Sequence, residues 1–189
     1  FYQPIIDALE VQPFSLDMSW NKALVVEGVS DYTAYRLLFE SVLKKKLDFV
    51  IMPGTSASNL GTLLSLHIGW GAKVMTLLDY DNAGREEQEK YKTAFPNIDR
   101  YIQTLDDTGL ADSNKFRLEN LFLEDDKEAI LSLASMTKSK ERISKKEFQN
   151  SLYIVANDPS LASKVSSRIS DQTKKQFATI YSHITSVLS

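Results

Sequence analysis

At 189 residues the chain can form one domain with a substantial core, or one domain with an appendage. Its net charge of -3 argues against a surface coated in basic residues, though not against a local basic track. The absence of cysteine excludes disulfides and thiolate zinc sites, and His67 and His183 alone leave few candidates for Ser-His catalysis.

No apolar stretch approaches the roughly 20 residues of a membrane span, and no signal peptide is visible. The expected location is cytoplasmic, with no membrane partner. Residues 1–22 carry Pro4 and Pro13 and read as a linker with a short helix near Ile5 to Leu9. The chain opens at Phe1 rather than methionine and reads as part of a longer protein. Trp20 reads as a packing anchor.

Ala23 to Val26 is a short apolar run without alternation, which suits a strand buried on both faces. It ends in Glu27-Gly28-Val29-Ser30-Asp31. Gly28 allows a sharp turn into a helix, with Ser30 as the expected N-cap. Tyr32, Tyr35, Leu38, Phe39 and Val42 form that helix's apolar stripe. Glu27 then stands at the strand tip and Asp31 in the first helical turn.

Asp48 to Met52 reads as a second strand, ended by Pro53-Gly54. Thr55, Ser56 or Ser58 can cap the following helix, with Leu60, Leu63, Leu64 and Ile68 as its buried stripe. Gly54 and Ser56 are either a turn and a cap, or a loop whose amides and hydroxyl approach a phosphate.

Val74 to Leu78 is the third apolar run, and it leads into Asp79-Tyr80-Asp81-Asn82-Ala83-Gly84-Arg85. The alternation of strands and helices predicts a mainly parallel sheet with right-handed crossovers. Ligands bind such sheets at the carboxyl ends of the strands. If the first and third strands are neighbours, Glu27, Asp31, Asp79 and Asp81 converge at one sheet edge. Carboxylates gathered this closely repel one another unless a cation lies between them, and oxygen donors suit magnesium or manganese.

Asn82 to Ala94 reads as a solvent-facing helix, with Arg85 one turn from Asp81. Arg100 to Thr104 reads as a fourth strand. Asp106, Asp107 and Asp112 read as turn and capping residues. Glu124, Asp125 and Asp126 read as charges at a helix N-terminus. The remainder is helical. Its basic residues, Lys138, Lys140, Arg142, Lys145 and Lys146, then Lys164, Arg168, Lys174 and Lys175, are either solvated faces or phosphate contacts.

The Glu27-Gly28-Val29-Ser30-Asp31 and Asp79-Tyr80-Asp81 segments, each at a strand end with a βα unit between them, resemble the Toprim family over about residues 23–105. The resemblance implies a Rossmann-like α/β fold: about four mainly parallel strands flanked by helices, with a helical C-terminal extension. On that reading residues 1–22 are the linker, 23–125 the Toprim core and 126–189 the extension packing on it. Within the family, the nucleases of the overcoming-lysogeny-defect (OLD) type fit best. A recombination mediator would bring a cysteine zinc finger. A topoisomerase would need a transesterifying tyrosine, for which Tyr32 and Tyr80 stand too near the ligands.

The OLD resemblance adds two residues. An acidic residue follows the fourth strand in that family, and Glu119 fills the place. A lysine of the terminal segment reaches the active site there, and Lys175 or Lys174 matches it. The implied function is a DNA endonuclease using two Mg2+ or Mn2+ ions on Glu27, Asp31, Asp79, Asp81 and Glu119. Glu27, Asp79 and Lys175 would be its catalytic groups. The implied partners are DNA and an upstream ATPase domain of the ABC class, with a role in phage defence; a homo-oligomer stays open. The competing readings are a noncatalytic nucleic-acid or nucleotide-binding domain and a primase-type nucleotidyl transferase.

Overall fold

The computed structural model describes residues 21–54, 61, 64–65, 68–69, 71–139 and 141–189. The expectations for residues 1–20, for a cap at Thr55, Ser56 or Ser58, for Leu60 and Leu63 and for His67 lie outside them. Four parallel strands form one sheet in the order β2-β1-β3-β4. These are β1 (Lys22–Val26), β2 (Val50–Pro53), β3 (Lys73–Leu78) and β4 (Ile102–Thr104). Each matches a predicted strand to within two residues at either end.

The apolar runs of β1 to β3 show no polar alternation, Thr76 apart, because both sheet faces are covered. Leu24, Val26, Met75 and Leu77 pack into a large core on one face. Ala23, Val25, Val74 and Leu78 pack on the other with Met52, Tyr91 and Ile102. Helix α1 (Val29–Arg36) follows β1 and continues through wider π-helical turns at Leu37–Val42. The widening lets Leu37, Leu38, Phe39 and Val42 all reach the core. Its N-cap is Gly28 rather than Ser30, because the Asp31 carboxylate accepts the Gly28 N–H at 2.9 Å and closes the turn.

Helix α2 (Asn82–Ala94) starts at Asp81, whose Oδ1 accepts the Gly84 N–H at 2.9 Å. At Gly84 the backbones come so close that an added Cβ would lie 2.0 Å from the Asp79 carbonyl oxygen. Only glycine lets β3 feed α2 this tightly. After β4, Asp107 accepts the Thr104 N–H at 2.8 Å, while Asp106 and Asp112 are exposed, which is turn chemistry as expected.

Four helices complete the chain: α3 (Glu124–Leu133), α4 (Lys145–Asn157), α5 (Pro159–Val165) and α6 (Asp171–Val187). They share the sheet's large core, to which Phe148, Leu152, Phe177, Ile180 and Ile184 contribute together with Leu24 and Val26. Phe177 stands 5.1 Å from Phe122 and 5.9 Å from Tyr35, ring centre to ring centre, and joins α6 to α1 and to the segment before α3. No helix among the described residues is long and apolar enough to cross a membrane.

Asp126 differs from its acidic neighbours. It is buried at 2 % exposure. Its carboxylate accepts the Ser170 N–H at 2.7 Å, the Ser170 hydroxyl at 2.7 Å and the Thr173 hydroxyl at 2.6 Å. It therefore ties α3 to the start of α6 instead of merely facing a helix dipole. Asp126→Ala should lower unfolding free energy by about 2–4 kcal/mol, because buried donors lose a charged acceptor. Asp125→Ala, at an exposed position, should stay within about 0.5 kcal/mol. Urea unfolding of the two variants measures both; equal effects would contradict the tie.

Candidate active site

The parallel pairing of β1 and β3 builds the site. Val26 lies opposite Leu77, so the next residues out of the two strands, Glu27 and then Asp79, emerge at one carboxyl edge. Asp31 is turned back towards that edge by its bond to Gly28. A third segment arrives from the far side of the sequence. Tyr80 and Phe116 exchange two backbone hydrogen bonds of 2.8 Å, which hold residues 116–118 against the end of β3. The Leu118 N–H then donates to Asp79 Oδ1 at 2.9 Å. The turn Leu118–Leu121 carries Glu119 to the group.

Helix α4 closes the ring of groups. Gln149 donates its amide to Glu119 Oε1 at 3.2 Å and reaches the Ser30 hydroxyl at 3.3 Å. Lys145, one turn earlier, pairs with the same Glu119 oxygen at 3.2 Å. Helix α4 is thereby tied to Glu119 twice and to α1 through Ser30.

The electrostatics show which carboxylates share a field. Burial, and then the charge of Glu27, push Asp31 up to about 7 from the usual carboxylate range, with Glu119 adding to the rise. Gly28 and Lys145 oppose it. Burial, and then the charge of Asp31, push Asp79 up to about 7 as well, against the Leu118 N–H and with help from Glu27 and Glu119. The buried Tyr35 phenol is raised by burial and then by Asp31 and Asp79. The ring of α1 therefore lies under the same charges.

Asp81 belongs to the group by position and not by state. Burial pushes it up, but the Gly84 amide and the Arg117 guanidinium outweigh this and hold it below the usual range. Arg117 Nε donates to Asp81 Oδ2 at 2.7 Å. The two aspartates of Asp79-Tyr80-Asp81 thus do different work: one sits in the shared negative field, and the other caps α2 and holds an arginine.

Of the predicted site residues, Glu27, Asp31, Asp79 and Glu119 are brought together, with Asp81 at their margin. Lys175 is not: it is exposed on α6 and pairs with none of them, and Lys174 pairs with Asp171 at 3.2 Å. The lysine at the group is Lys145. Arg85 bonds the Asn114 carbonyl and Asn82 and lies 4.9 Å from the Tyr80 ring centre, so it braces the α2 turn. Glu87, read as a solvated residue, is raised by burial and then by Glu27 and Asp81, which places it at the rim. Arg117 and Gln149 carried no sequence signal, because only the fold brings residues 117 and 149 to the strand ends.

The donor set suits a hard divalent cation in kind. Burial first, and then the charges of neighbouring carboxylates, raise Asp31 and Asp79 to about 7, and a cation would offset both costs. Among the described residues Glu27 has no hydrogen bond or ion pair, and Asp31 and Asp79 each bond a protein N–H through a single oxygen. Among the same residues no three acidic or histidine side chains stand close enough to hold one ion. The side chains would have to turn inwards to do so.

No family model and no curated protein matches this chain. Among solved structures, the C-terminal region of the Burkholderia pseudomallei OLD protein is similar in fold, with a TM-score of 0.53 at 14% identity. The superposition covers 90% of this chain and 99% of that one. The shared fold is the parallel sheet flanked by helices with a largely helical C-terminal part.

The raised carboxylates set a pH dependence. Between the usual aspartate value of 3.8 and about 7 the folded state binds protons that the unfolded state has released. Stability from Asp31 and Asp79 is therefore fully present below the lower value and is lost as pH rises through about 7. In chelator, Tm should fall between about pH 5 and pH 8, and Asp79→Asn should flatten the fall. Identical pH profiles for the two proteins would contradict the shared field.

Proposed function

We propose that this chain is a Toprim-type endonuclease domain of the OLD kind, cleaving DNA phosphodiester bonds with two Mg2+ or Mn2+ ions. The observation that carries the proposal is the group Glu27, Asp31, Asp79 and Glu119, gathered from three segments at the carboxyl edge of a parallel sheet. The fold shared with the OLD protein region supports it. Bound ions would supply a water of lowered pKa and would stabilise charge on the scissile phosphate and the leaving oxygen.

Glu27, Asp31, Asp79 and Glu119 would hold the ions. Asp81 would join only by leaving Arg117. Asp31 and Asp79 hold protons near neutrality and would exchange them for metal. Lys145, held beside Glu119, would meet negative charge developing on a phosphate, a role the OLD resemblance gave to Lys175 or Lys174. Gln149 positions Glu119 and does not itself need to touch substrate. An upstream ATPase domain and a phage-defence role are further parts of this proposal.

One observation favours a second reading, a noncatalytic nucleic-acid or nucleotide-binding domain. Asp81 is already committed to capping α2 and to Arg117. Activity separates the two. Purified protein should nick supercoiled plasmid with magnesium or manganese, and show little cutting with calcium or chelator. Glu27→Ala and Asp79→Ala should each cost at least about a hundredfold, as loss of one charge-stabilising group does. Lys145→Ala should cost at least about tenfold, while Lys175→Ala and Asp106→Ala cut like wild type. Equal cutting by wild type and Asp79→Ala would place the activity elsewhere. A wild type that never cuts, with or without an ATPase partner, would favour the binding domain.

A further inference from the structure

Beside the carboxylates lies a cleft of about 350 Å³ between the 115–121 segment, α3 and the start of α4. Its walls include Lys115, Arg117, Lys127 and Lys145, with Glu119 as the single carboxylate. Such a volume is in the range that holds a small ligand or one unit of a polymer.

The four cations divide into two pairs by what they face. Arg117 and Lys145 are matched to the carboxylate group, through Asp81 and Glu119. Lys115 and Lys127 are not. Lys115 is exposed and has no ion pair among the described residues. Lys127 is held in the wall with 15% of its side chain exposed, and its partner Glu124 is 67% exposed, out in solvent. The pair is close, at 2.7 Å, but an exposed Glu124 loses little by turning into solvent and leaving Lys127 to a phosphate.

The cleft begins where the acidic field ends, since Arg117 and Lys145 line the cleft and touch the carboxylates at once. A chain of net charge -3 with an acidic site repels a polyanion and needs a local positive track to hold one. Successive phosphates of a stacked strand rise only about 3.4 Å along its axis, so a strand crossing the carboxylates needs only a short path to bring a neighbouring phosphate to this cleft.

Resting on the endonuclease reading, we propose that this cleft binds an internal phosphodiester of the strand being cut, next to the scissile one. Lys115 and Lys127 are its phosphate contacts. They fix the strand's register on the carboxylates and take no part in the chemistry.

The test is binding of a short labelled single-stranded DNA, with and without a 5′-phosphate, to the full chain in calcium over a range of salt. Lys115→Ala and Lys127→Ala should each make the plot of log affinity against log salt shallower by about 0.7. Lys115→Arg should keep the wild-type slope. Lys46→Ala, on the segment entering β2 at the opposite edge of the sheet, should keep it too. The 5′-phosphate should make no difference to these effects. A double alanine variant with the wild-type slope would overturn the proposal, and so would effects seen only with the 5′-phosphorylated probe. Plasmid cutting by the same preparations separates this from the parent reading. Cutting with an unchanged slope sinks the cleft alone, whereas a shallower slope without any cutting sinks the nuclease and leaves a nucleic-acid cleft.

Discussion

The structure depends on the parallel pairing of β1 with β3. Lys22 to Val26 lie against Lys73 to Leu77 in unbroken register at the middle of the sheet, and all but the two lysines are buried. That pairing drives apolar residues into two cores and, as its consequence, brings Glu27 and, one residue further along, Asp79 out at the same carboxyl edge. Burial first, and then the charges of the neighbouring carboxylates, let Asp31 and Asp79 hold protons up to about pH 7. The fold is driven by apolar burial and bears an electrostatic cost at one edge, an arrangement typical of functional sites.

The rest of the molecule braces that edge. The Tyr80–Phe116 backbone exchange brings Leu118 to Asp79, and Gln149 joins Glu119 to Ser30 across two helices. Asp126, far from the edge in function, locks α6 onto α3 and so seats Phe177 against Tyr35 and Phe122. Charges are thus used in three ways in one chain: crowded at the strand ends, buried as a helix tie at Asp126, and matched to cations at Asp81 and Glu119.

Strands β1 to β3 were legible because each is a short, largely apolar run ended by proline or an acid, and a sheet covered on both faces demands such runs; β4, Ile102-Gln103-Thr104, lacks that signature. Glu27, Asp31 and Asp79 were legible because they sit at the ends of those runs. Glu119 was reached only through resemblance. What could not be read came from contacts distant in sequence. Lys145 and Lys175 both look like members of basic helical runs, and only the packing of α4 against α1 tells them apart. Asp126 is one of three successive acids, Glu124, Asp125 and Asp126, and nothing local marks it as the one that faces Ser170 and Thr173. Ser30 has the better capping side chain, yet the Gly28 amide with Asp31 closes the turn, because Asp31 lies within reach of it and is held at the strand edge.

The central claim is that these carboxylates form one cation site whose protons a metal displaces. Calorimetric titration of Mn2+ at about pH 6, in two buffers of different ionisation enthalpy, counts the protons released on binding. Saturable binding is expected, with release of more than one proton per protein at about pH 6, falling towards none by about pH 8.5, and with about one proton fewer released at about pH 6 by Asp79→Asn. Binding without proton release at either pH, or no binding at all, would contradict it.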